Sequence, residues 1–78
     1  MKVRICSSKG VEFEGEAQRV RAPGQLGVFE VLDRHAPFVA QLQAGILRLQ
    51  TANEPKEWAI SGGFLWVSPE NHVEVLLD

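Results

Sequence analysis

Apolar and polar residues alternate along most of this chain. Val3 and Ile5 are interleaved with Lys2 and Arg4, Val11 and Phe13 with Glu12 and Glu14, Leu47 and Leu49 with Arg48 and Gln50, and Val73 and Val75 with Glu74. A period of two sends successive side chains to opposite faces of an extended backbone, so each segment reads as a strand with one wet face. Gly and Pro punctuate the pattern so closely that no stretch longer than nine residues lacks both, whereas a globular α-helix averages about 11 to 12 residues. The pattern predicts strands near 2–7, 11–14, 16–22, 28–32, 38–43, 46–51, 56–61, 63–67 and 72–77. Turns are expected at Ala22-Pro23-Gly24, Gln43-Ala44-Gly45, Asn53-Glu54-Pro55 and Pro69-Glu70-Asn71, with a tight bend or bulge at Ser61-Gly62-Gly63. Short, mainly antiparallel strands at short spacing predict an all-β sandwich or barrel without a long helix.

Two segments break the alternation. Val28 to Leu32 and Phe64 to Val67 are apolar enough to be buried on both faces or to lie beneath a partner. The size of the chain sharpens that choice: 78 residues, 45% of them hydrophobic, make one domain, and a domain of this length hides only about 60–65% of the surface its unfolded chain exposes. Cys6 stands alone, so no internal disulfide adds stability. The balance favours a subunit with a covered face over a free-standing enzyme. The longest apolar run has four residues, Phe64 to Val67, against the roughly 20 that a membrane helix requires. A net charge of −2 with scattered Lys and Arg lacks the clustered positive field that nucleic acid selects.

Candidate chemistry is sparse. Asp33 and His35 flank Arg34 and could form a carboxylate-oriented base, but a hydrolase also needs a nucleophile and an oxyanion site that no motif supplies. His35, His72 and Cys6 lie far apart in sequence and have no metal-ligand spacing, and Glu12, Glu14 and Glu16 read more simply as a solvated strand face than as cation ligands. Gly24 to Gly27 matches neither phosphate-binding glycine motif and reads as a turn. Trp58 and Trp66 leave a carbohydrate- or ligand-binding module as the alternative function, although alternation places Trp58 with Ile60 in the core and Trp66 outward. No catalytic, metal or cofactor residue is assigned.

Several short pieces, weak singly, form a collinear series: Phe13-Glu14-Gly15-Glu16, Ala22-Pro23-Gly24, Gly27, Val31-Leu32, His35-Ala36-Pro37, Gly45 to Arg48, Ser61 to Phe64 and Val73 to Asp78. The series resembles the amino-terminal β-sandwich of the epsilon subunit of F-type ATP synthases and covers nearly the whole chain. The resemblance implies a single sandwich over residues 1–78. It also implies a non-catalytic central-stalk subunit between the gamma subunit and the c ring, peripheral on the cytoplasmic face of the cell membrane, that supports coupling of proton flow to ATP synthesis. It places gamma contacts at Ser7, His35, Ala36 and Pro37, and c-ring contacts at Gly27, Val28, Phe29 and Glu30. Glu30 stands where the pattern has a second glycine and Val28 where an acidic residue is common, so Glu30 takes over a polar ring contact only if its register reaches the same edge. Family members usually continue into two helices that restrain ATP hydrolysis. The reading of Asp78 as a natural end implies a short form that binds no ATP and leaves inhibition to another subunit, with the isolated chain a monomer.

Overall fold

The computed structural model describes all residues from Met1 to Asp78. Seven strands and no helix make up the chain: β1 (Lys2–Ser7), β2 (Gly10–Glu16), β3 (Arg19–Gly24), β4 (Gly27–Leu32), β5 (Phe38–Gln50), β6 (Pro55–Val67) and β7 (His72–Leu77). They are hydrogen-bonded in the order β2-β1-β7-β6-β5-β3-β4. Only β1 and β7 pair in parallel.

One continuous ribbon becomes two layers because β5 and β6 bend together. Each has 13 residues, an extended length of about 43 Å, whereas the largest dimension of the molecule is 26 Å. Their register is unchanged through the bend, from Gln43↔Gly62 to Gly45↔Ile60. Gly63 there has φ +150°, and a Cβ at that position would collide with the carbonyl oxygen of Leu76, so the close approach requires glycine. Phe38–Leu42 and Gly63–Val67 lie with β7, β1 and β2 in the first layer, while Gly45–Gln50 and Pro55–Ile60 lie with β3 and β4 in the second.

Between the layers, Val3, Ile5, Leu65, Val73 and Val75 meet Val20, Val31, Leu47 and Leu49, all at most 1% exposed. Burying each such side chain is worth about 1.5–3 kcal/mol. Phe13 of β2 and Trp58 of β6 close one margin edge-to-face, with ring centroids 6.1 Å apart.

The helix-free β-sandwich expected from the alternation is present, with seven strands where nine were anticipated. Gln43-Ala44-Gly45 and Ser61-Gly62-Gly63 bend strands without ending them, and Ala22-Pro23-Gly24 belongs to β3. At Glu12 the β1–β2 register slips from Ile5↔Phe13 to Cys6↔Val11. The inserted residue turns Val11 to the outer face, 53% exposed, although strict alternation would bury it beside Phe13.

Candidate interaction site

An open apolar surface is built around the β3–β4 hairpin. Gly24 pairs with Gly27 across a two-residue tip, Gln25-Leu26. A Cβ on Gly24 would stand 2.8 Å from the Gly27 carbonyl oxygen and 2.9 Å from the Phe29 ring, so glycine lets the strands and the ring close on one another. Leu26 is wholly exposed at the tip, and Val28 and Val39 are 62% and 73% exposed. Phe38–Gln41 of β5 pairs with β6 along one edge, while its other edge is met only by the Gln25 N–H, which donates to the Gln41 carbonyl at 3.1 Å. Between this open edge and the hairpin lies a cleft of about 560 Å³ floored by Phe29 and Phe38.

Aromatic contacts join the cleft to the loop after β4. Phe29 and Phe38 meet edge-to-face with centroids 5.4 Å apart, and the His35 ring lies 4.9 Å from Phe38. Ala36 and Pro37 are exposed between them. The structure thus brings His35, Ala36 and Pro37, expected to face gamma, next to Gly27, Val28 and Phe29, expected to face the c ring. Glu30 points along the outer face of β4, 3.8 Å from Arg19.

The start of that loop is fixed by polar contacts. The Met1 amine donates to Asp33 Oδ1 at 2.9 Å, Asn71 Nδ2 donates to the same oxygen at 2.7 Å, and the Arg34 N–H donates to Asn71 Oδ1 at 2.7 Å. Hydrogen bonding from Asn71, then from the amine, lowers the Asp33 pKa, and the bond to Asp33 is the main cause that raises the Met1 amine. With Asp33 engaged there and His35 Nδ1 facing the Ala36 carbonyl at 2.6 Å, the carboxylate does not orient the ring as a base.

Ser7 stands apart from this cluster. Lys2 N–H bonds to Asn71 near the Asp33 loop, and Ser7 lies at the opposite end of β1, roughly 17 Å along an extended strand. Its hydroxyl donates to Glu12 at 2.7 Å and accepts from the Lys9 N–H at 3.1 Å, beside a 240 Å³ hollow that also includes Trp58 and Asp78. The three glutamates of β2 diverge: Glu12 meets Ser7, Glu14 stands opposite Arg4, and Glu16 is 3.5 Å from the Met1 amine. Trp58 packs on the core while Trp66 lies on the outside of the first layer, so the two rings form no shared platform. Sequence reasoning passed over Leu26 and Val39. A large apolar residue in a two-residue loop between glycines was the available signal for Leu26.

All 78 residues match the model of the ATP synthase delta/epsilon chain β-sandwich domain. The chain belongs to this family. It is 43% identical over 70 residues to ATP synthase epsilon chain 1 of Methylococcus capsulatus, an alignment covering 88% of this chain and 50% of that one. It is 35% identical over 78 residues to the epsilon chain of Helicobacter acinonychis, covering 100% of this chain and 63% of the relative. The chain therefore spans about half to two thirds of the length of these delta/epsilon relatives. In solved structures, the fold matches a chain in the central stalk/c-ring structure of the Tetrahymena thermophila mitochondrial ATP synthase, with TM-score 0.87 and 16% identity, covering 99% of this chain and 62% of that one. A chain of the Euglena gracilis mitochondrial ATP synthase matches with TM-score 0.89 and 23% identity, covering 96% and 48%. At these identities the two matches establish the shared sandwich fold.

Proposed function

We propose that this delta/epsilon-family sandwich is a non-catalytic module of the central stalk of a proton-translocating ATP synthase, linking the gamma subunit to the c ring on the cytoplasmic side of the membrane. The observation that carries this reading is the family match over residues 1–78. Its support in the structure is an open apolar end where Leu26, Val28 and Val39 are exposed next to the His35-Ala36-Pro37 loop. Desolvating such a surface favours association in proportion to its apolar area. The hairpin tip and cleft form the ring side of the joint, and the His35-Ala36-Pro37 segment the gamma side, linked through Phe38. Gln25 and Leu26 extend the ring contact beyond Gly27, Val28 and Phe29, while Glu30 reaches it only from the outer face. Ser7 makes a separate, polar gamma contact. The reaction chemistry belongs to other subunits, and this module binds no cofactor.

Affinity purification of the tagged chain from detergent-solubilised membranes tests the proposal. Recovery of ATP synthase with gamma and c subunits is expected. Recovery of the chain without them overturns it.

A further inference from the structure

The outer face of the second layer carries a row of four charges. Glu57 of β6, Arg48 of β5, Arg21 of β3 and Glu30 of β4 stand opposite one another in sequence across four strands. Arg48 is paired with Glu57, and Glu30 leans 3.8 Å from Arg19, which leaves Arg21 without an acidic partner in ion-pair range. Arg21 and Arg48 face each other directly across the β3–β5 ladder, and like charges in that relation disfavour the sheet that holds them. With Arg19, this face has three arginines against two glutamates in a chain whose formal charge is −2.

Beside the arginines is an apolar ledge. At the β5 bend, Arg21, Arg48, Gln43, Pro23, Val28 and Ile46 line an open groove of about 470 Å³. Ile46 is 51% exposed and Val28 62%, and Val28 also lines the hairpin cleft. A Cβ on Gly45 would stand 2.8 Å from Pro23 Cβ, so Gly45 and Pro23 approach closely at the groove floor.

We propose that this groove docks an acidic segment of a partner protein, with a carboxylate bridging Arg21 and Arg48 and flanking aliphatic side chains resting on Val28 and Ile46. A carboxylate would relieve the arginine repulsion and match the planar guanidinium fork. The ledge gives the neighbouring side chains apolar area to cover, which a free phosphate would leave wet. An anionic membrane surface requires a sustained positive field, and the interspersed Glu30 and Glu57 interrupt it. The proposal rests on the assembly role only for the partner's being a protein, and its test reads binding by the isolated chain, so it fails or survives separately from the stalk reading.

The probe is the peptide acetyl-Leu-Asp-Leu-Glu-Leu-amide, titrated into the isotopically labelled full chain and followed by NMR. Saturable shifts are expected at Arg21, Arg48 and Ile46, with affinity at least about ten-fold weaker in Arg21→Glu. That substitution relieves the facing arginine pair but sets a carboxylate opposite Glu30, so the two cross-strand effects offset and the melting temperature of the variant should stay within about 4 °C of wild type. Loss of binding with the fold and stability retained separates a docking residue from a structural one. The proposal is overturned by an absence of saturable shifts or by equal binding to Arg21→Glu. Equivalent shifts at these residues from inorganic phosphate or from phosphatidylglycerol vesicles also overturn it.

Discussion

The hairpin end and the Ser7 corner are both tight connections between antiparallel strands, and each adjoins an open hollow, of about 560 Å³ and 240 Å³ respectively. At the hairpin end, Leu26, Val28 and Val39 present apolar side chains to solvent. At the corner, the Ser7 hydroxyl already donates to Glu12 and accepts from the Lys9 N–H. A partner covering the hairpin end gains apolar burial at about 25 cal/mol per Å², whereas one covering the corner must replace hydrogen bonds that exist without it. Two sites assigned by resemblance to different partners, the c ring and gamma, thus differ in their capacity to bind.

The largest effect is expected from a charge at the apolar end. Ala36→Asp or Val39→Asp should weaken capture of the ATP synthase subunits by at least about ten-fold, the cost of an unpaired carboxylate in a desolvated contact. Because Ala36 and Val39 are exposed, the thermal stability of the isolated chain should barely move. Undiminished capture by both variants in a quantitative pull-down would remove the hairpin end from the interface.

Phe38→Ala sharpens the comparison from within. It removes the ring that Phe29 and His35 both contact, and for a half-buried aromatic the loss should be about 1–3 kcal/mol of folding stability, measured by urea titration. The Ser7 corner should keep its NMR shifts. Shifts there comparable to those around Phe29 would mean that the two regions are coupled.

Asn71→Ala probes the support behind the His35 loop. The hydrogen bond from Asn71 is the main reason the Asp33 pKa is lowered, so NMR titration should show it return toward the ordinary value of about 3.9. A carboxylate with a depressed folded pKa contributes stability above its unfolded pKa and loses it as pH falls through the folded value. The Met1 amine, whose pKa is raised mainly by Asp33, contributes below its ordinary value of about 8 and loses that contribution as pH rises through the folded one. The loop anchor is therefore strongest between about pH 4 and 8, and an Asp33 titration unchanged in Asn71→Ala would contradict the assigned cause.

Ser7→Ala is the smallest perturbation. Exposed hydrogen bonds contribute about 0.5–1 kcal/mol at most, so stability and subunit capture should both stay within roughly that range of wild type. A binding loss matching that of Ala36→Asp would reverse the ranking of the two regions.

Alternation and punctuation were sufficient for the strands because both are local: Val3, Ile5, Val73 and Val75 point inward wherever a period of two is kept, and Gly and Pro fall too often for a long helix. The candidate contact residues entered through a collinear resemblance, which names positions without locating them in space. Only the folded chain decided that Gly45 and Gly63 sit at a bend within long strands, because a break and a bend use the same residues and differ in which backbone groups pair beyond them. The same holds for Val11, which its local pattern would bury and an inserted Glu12 exposes. It holds for Ser7 and His35 as well, assigned together and found at opposite ends of the sandwich. Their separation depends on the direction of β1 relative to the Asn71 turn, a long-range pairing that no short window of sequence encodes.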